Sequence, residues 1–182
     1  IGGVHRGAEL SFDVSADLQE LAKTPVTVVA AGAKAILDLP KTFEMLETLG
    51  VPVIAYGQNE IPAFWSRSSG LTAPLRLDHP EEIAKAHVMR ATLGIVGGQL
   101  IANPIPKEDE IDREILGPLI DQAMQKAENK RITAKEVTPF LLKTISELTG
   151  GKSLTANKAL VSNNAKLAAK IAKHVEMSNA RP

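Results

Sequence analysis

Two short apolar runs constrain the fold of this chain more than any other feature. The first is VTVVAA at residues 26–31, β-branched and set between Pro25 and Gly32. The second is VPVIAY at residues 51–56, set between Gly50 and Gly57. Runs of this length, bounded by turn residues and lacking polar alternation, are strands covered on both faces. Between them, residues 40–49 open with proline and close before glycine, the punctuation of a helix. Strand, helix and strand within about 30 residues make a βαβ unit, which predicts a parallel pair joined by a right-handed crossover.

The rest of the chain extends this pattern. Asp17 and Glu20 have capping-box spacing for a short helix through Leu21, which Pro25 stops. Residues 9–14 read as a short strand or extended turn, and residues 33–39 as a helical turn. Residues 58–72 are polar, rich in Gly and Ser and broken by Pro62, so they form a long loop over a strand end. An edge strand is expected at residues 74–77. A helix follows over 80–93, capped by Asp78 and carrying Glu81 and Glu82 in its first turn. Residues 99–102 are another buried strand. Three helices then follow. The first spans 112–129, with Ile115, Leu119, Ile120, Ala123 and Ala127 on one face. The second opens at Thr138-Pro139. The last, over 154–175, is capped by Ser153 and turns Leu160, Leu167 and Ile171 inward. The expected architecture is a three-layer α/β/α domain over residues 1–182, with a mostly parallel or mixed sheet and a helical C-terminal section.

Composition narrows the function classes. At 182 residues the chain can bury a substantial core. Its 21 basic and 21 acidic residues balance, which argues against the basic face that nucleic-acid binding or an anionic membrane surface needs. No apolar run approaches the roughly 20 residues of a membrane span. Cysteine is absent, which removes disulfides and thiolate zinc sites and fits a cytoplasmic protein. The glycine-rich start, IGGVHRG, lacks the strand that such loops normally leave, so an upstream portion is expected.

Chemistry concentrates in residues 5–38. Lys34 is a lone cation just beyond an apolar strand. It is either a desolvated amine able to attack an aldehyde or a rim lysine that snorkels. Asp13 and Asp17 would share one face if the segment between them were helical, as a ligand for Mg²⁺ or Mn²⁺ or as two capping carboxylates. His5 and Arg6 among glycines suit anion capture or a surface turn. Asn157, early in the last helix, could reach a phosphate. Asn103 reads as a turn cap, Asn163 and Asn164 as polar surface, and His79, His87 and His174 as surface histidines.

In combination these residues resemble the pseudouridine-5′-phosphate glycosidase family. The resemblance rests on GGVHRGAE at 2–9, SADLQEL at 15–21 after Ser11 and Asp13, AGAKAILD at 31–38, and LETLGVPVIAYG at 46–57. FWSRSSG at 64–70, ANPIP at 102–106 and ELTGGKSLTANKALVSNNAKLAA at 147–169 complete it. It implies reversible cleavage of a C–C glycosidic bond to uracil and ribose 5-phosphate in a homotrimeric enzyme that uses a divalent metal, typically Mn²⁺. Carried over by motif, Lys34 is the imine-forming nucleophile and Asp13 the metal position, acting through bound water. Ser15, Ala16 and Asp17 are the substrate-contacting segment, and His5 and Asn157 are phosphate-pocket residues. Members of the family also carry a portion ahead of GGVHRG that holds the proton-donor glutamate and a second substrate-binding lysine. No residue here takes those roles. The alternatives to the glycosidase are a related Schiff-base lyase on another sugar phosphate and a non-catalytic sugar-phosphate-binding α/β fragment.

Overall fold

The computed structural model describes residues 1–133 and 136–179. Its centre is a four-stranded, wholly parallel sheet of order β1-β4-β2-β3. The strands are β1 (Thr27–Ala30), β2 (Val53–Tyr56), β3 (Leu75–Leu77) and β4 (Gln99–Ala102). The expected βαβ unit is present but its strands do not pair, because β4 lies between β1 and β2. Burial explains the order: all four residues of β4 are buried, whereas all four of β1 are half-buried. The strand able to be covered on both faces takes the centre.

Helices cover both faces of the sheet. Alternation along β4 separates the layers, since successive side chains point to opposite sides. Leu100 and Ala102 pack with Leu18 and Leu21 of α2 (Ala16–Lys23) and Leu46 of α3 (Leu39–Thr48). Ile101 packs with Ile83 and Ala84 of α4 (Pro80–Thr92) and with Leu167 and Ile171 of α7 (Lys152–Asn179). A third cluster joins the turn after β1 to the helical section. In it Ala31, Ala33 and Ala35 lie with Trp65, Leu116 and Ile120 of α5 (Arg113–Asn129), and Leu141 and Ile145 of α6 (Val137–Leu148). Ala156 and Leu160 of α7 complete it. This is the α/β fold with a helical C-terminal section that the sequence implies. No described helix is long and apolar enough to cross a membrane.

Local expectations fail where caps or helix phase decide. Residues 8–11 form one helical turn, α1 (Ala8–Ser11), instead of a strand. The cap of α2 is Ser15, whose Oγ accepts from the Asp17 N–H at 3.2 Å, so Asp17 is inside the first turn. Residues 33–37 are turns, not helix. The cap position of α4 is His79, not Asp78, with Glu82 reaching back to the His79 N–H at 3.1 Å. Ser153 lies within α7 instead of capping it. On α5, Ile115 is 63% exposed and Leu116 is buried instead. The stripe of Leu116, Ile120, Ala123 and Ala127 holds an i, i+4, i+7, i+11 phase that Ile115 leaves.

Candidate functional site

The candidate site forms at the C-terminal end of β1, where open α/β sheets bind ligands. Residues 1–5 run between two segments and bond to both. On one side, Gly2 N–H donates to Asp17 Oδ2 at 2.7 Å, Ser15 N–H to Gly3 O at 2.9 Å, and His5 N–H to Asp13 O at 3.0 Å. On the other, Ile1 N donates to Gly32 O at 3.0 Å, Lys34 N–H to Ile1 O at 3.1 Å, and Asp38 N–H to Val4 O at 2.9 Å. Five sequence-predicted residues, His5, Asp13, Ser15, Ala16 and Asp17, are thereby brought beside the turn that carries Lys34.

Close packing requires the glycines here. A Cβ on Gly2 would lie 2.3 Å from Ser15 Oγ, and one on Gly3 would lie 2.5 Å from Thr42 Oγ1. Gly32 has φ +83°, and its Cβ would lie 2.1 Å from the Pro62 carbonyl oxygen. The 58–72 loop therefore presses backbone to backbone against the residue two before Lys34. Phe64 N–H also donates to Ala31 O at 2.7 Å.

Lys34 is half-buried, and no carboxylate among the described residues lies within ion-pair distance of it. Asp13 and Asp17 do not share a helical face. Asp13 precedes the isolated antiparallel bridge of Val14 with Val4, while Asp17 starts α2. Their separation leaves the Asp13 carboxylate half-exposed, with Oδ2 at 3.8 Å from His5 Nδ1. The described residues contain no group of three or more His, Asp and Glu side chains able to enclose a metal. A single open carboxylate fits a hard divalent ion that keeps most of its waters.

Asn157 is half-buried on α7, one residue from Ala156, which shares the cluster of Ala33 and Ala35. No hydrogen bond among the described residues joins it to the His5–Lys34 group. The other asparagines are not what their sequence suggests. Asn103 is buried at 4% exposure, donates from its backbone N–H to Ala30 O at 2.8 Å, and donates from Nδ2 to Asn164 Oδ1 at 3.0 Å. Asn163 donates to Pro104 O at 3.0 Å. The pair on α7 thus clamps the end of β4 and is not free surface. His87 is half-buried, with Nδ1 at 3.0 Å from Thr27 Oγ1, while His79 is exposed. Thr42, which sequence reasoning passed over, is fully buried. Its Oγ accepts from Val4 N–H at 2.9 Å and donates to Asp38 O at 2.7 Å. Nothing in its surroundings in sequence signals that role.

The fold and these bonds define a parallel α/β protein in which residues 1–5 join the Asp13–Asp17 segment to the Lys34 turn at the sheet's C-terminal edge. Residues 1–174 match the model for indigoidine synthase A-like proteins, and the chain belongs to that family. It is 68% identical over 172 residues to the pseudouridine-5′-phosphate glycosidase of Paracoccus denitrificans, covering 94% of this chain and 57% of that protein. It is 56% identical to the Geobacillus kaustophilus protein of the same name, covering 96% and 58%. The chain therefore spans somewhat more than half the length of these relatives. Among solved structures, it superposes on the prealnumycin C-glycosynthase AlnA in complex with ribulose 5-phosphate. The TM-score is 0.92 at 33% identity, over 99% of this chain and 59% of that one. An indigoidine synthase A-like protein from Thermotoga maritima superposes with TM-score 0.85 at 39% identity, over 97% and 56%.

Proposed function

We propose that this chain carries the imine-forming part of a pseudouridine-5′-phosphate glycosidase, which cleaves the C–C bond between uracil and ribose 5-phosphate reversibly. One observation carries the reading: residues 1–5 bond the Asp13–Asp17 segment to the Lys34 turn, so a sugar phosphate can meet acid, amide and amine together. The identity to proteins of that name, and the ribulose 5-phosphate held by AlnA, support the substrate class.

The chemistry asks for an amine. A C–C glycosidic bond has no heteroatom on its leaving side to protonate, so a pair of carboxylates is insufficient. Lys34 Nζ attacks C1′, and the C1′–O4′ bond breaks, with O4′ leaving as a hydroxyl. The nitrogen lone pair then forms the C1′=N imine while the C1′–C5 electron pair stays with uracil, whose C5 takes a proton. Water hydrolyses the imine, returning lysine and ribose 5-phosphate. No residue of this chain is assigned as the proton donor. Ser15, Ala16 and Asp17 hold the sugar, and His5 and Asn157 hold the phosphate. Asp13 would hold a divalent ion, Mn²⁺ in the family, which supplies positive charge to order oxygen-bearing groups nearby. We further propose a homotrimeric cytoplasmic enzyme, with residues 1–182 forming one part of a larger catalytic domain.

Borohydride reduction of the whole protein with ribose 5-phosphate tests the reading. A covalent adduct is expected on the Lys34 peptide. Lys34→Ala should abolish it and lower turnover at least about a thousandfold. An adduct elsewhere, or retained uracil release, would sink the assignment. The metal role is checked by Mn²⁺ titration, which Asp13→Ala should weaken.

A further inference from the structure

We propose that Phe64 is the contact that recognises the planar base in this site, stacking its ring on the pyrimidine that joins or leaves C1′. The proposal rests on the glycosidase reading and deepens it by naming the residue that selects the base.

The case begins with the backbone. Phe64 has φ +62°, a left-handed conformation that a bulky side chain rarely adopts. The conformation is held from both sides. Its N–H donates to Ala31 O at 2.7 Å, and two residues earlier the Pro62 carbonyl abuts Gly32 so closely that no Cβ fits there. Strained residues kept by such close packing cluster at ligand sites. The two contacts fix Phe64 against the residues that lead into Lys34, so the ring and the nucleophile are carried by mutually bonded segments.

Burial gives the second observation. Ile61, Pro62, Ala63, Trp65 and Ser66 are all buried, and Phe64 alone in this stretch keeps exposed surface. Its ring is braced edge-on by Trp65, with centroids 5.0 Å apart and planes at 62°. Trp65 is 2% exposed, so it serves as a fixed support and offers no face to a ligand. Phe64 packs against the buried cluster on one part of its surface and stays half-buried, and a braced ring with some surface left exposed is suited to stacking on a flat heterocycle.

The third is elimination among the chain's four Phe, one Tyr and one Trp. Phe12 is exposed beyond α1, and Phe43, half-buried against the packed clusters as Phe64 is, lies on α3 and not in the loop bonded to Ala31. Phe140 lies on α6 with the Lys130 ammonium 5.4 Å from its ring centre. Tyr56 packs with the α4–α7 layer. Phe64 is the half-buried aromatic residue whose backbone bonds to the segment leading into the Lys34 turn, through Ala31 O. Ribose 5-phosphate has no planar part, so this contact acts on the base alone.

The test separates sugar from base in the whole protein. F64L keeps an apolar side chain and removes the π face, whereas F64Y restores it. F64L should leave the borohydride-trapped ribose 5-phosphate adduct on Lys34 within twofold of the parent protein. It should raise the KM for uracil in the condensing direction at least tenfold, and F64Y should bring that KM back within threefold. Adduct formation also shows that the variant is folded. An unchanged uracil KM, an equal loss of adduct and uracil affinity, or no rescue by tyrosine would each overturn the proposal. Absence of adduct in the parent protein would instead remove the lysine-imine reading, and this inference with it.

Discussion

At the scale of single residues, the site is held by backbone groups that must be satisfied. Thr42 shows how much depends on one hydroxyl. It receives the Val4 N–H and donates to Asp38 O, joining the first segment to the turn after Lys34. Valine has the same shape but leaves the buried Val4 N–H without a partner. Thr42→Val should therefore lower stability by about 1–3 kcal/mol, a shift of several degrees in a thermal melt. No change in Tm would mean that the hydroxyl bonds are replaced by water. Gly32 shows the complementary constraint: its positive φ and its contact with Pro62 leave no room for a side chain. The sequence pattern AGAK marks a turn there, but not which distant carbonyl the turn must admit.

At the scale of elements, caps decide where helices begin and which groups are aimed at the site. Asp38 caps α3, its carboxylate accepting from Lys41 N–H at 3.1 Å and pairing with Lys41 Nζ at 3.0 Å. Burial pushes the Asp38 carboxyl up. The hydrogen bonds and charge of Lys41, with help from Arg6, outweigh it, and the net position is below the usual carboxylate range. A depressed carboxylate stabilises the fold above its unfolded pKa, and that contribution disappears as pH falls through the lower folded value. Stability should thus decline on acidification below about pH 4. Asp38→Ala should remove the cap at a cost of about 1 kcal/mol at neutral pH and flatten that acid limb. A melt series from pH 7 to pH 3 measures both effects, and an unaltered acid limb in the variant would contradict the assignment. The same lesson applies to α2, where Ser15, rather than the acidic pair Asp17 and Glu20, supplies the cap.

At the scale of the whole molecule, β1 is an edge strand with an apolar sequence. Gln99 N–H donates to Val26 O and Asn103 N–H to Ala30 O, so the even-numbered residues of β1 turn their backbone toward β4. Thr27 and Val29 turn theirs outward, where no described strand pairs with them. In the 182-residue chain, the amides of Val28 and Ala30 should exchange slowly and those of Thr27 and Val29 quickly. Slow exchange at all four would show that another strand covers this edge.

Hydrophobic periodicity and turn chemistry act over a few residues, so by itself the order of amino acids determined where the four strands of the sheet lie, the inward face of α7, and the motif that marks Lys34. Pairing energy depends on contacts between residues far apart in sequence. Only the tertiary structure therefore decided that β4 enters between β1 and β2, that Asn103 and Asn164 meet in the interior, and that Asp13 and Asp17 part company. It also placed residues 1–5 as the seam between the Asp13–Asp17 segment and the Lys34 turn, because unpaired N–H and C=O groups in a packed interior must find partners wherever the fold brings them.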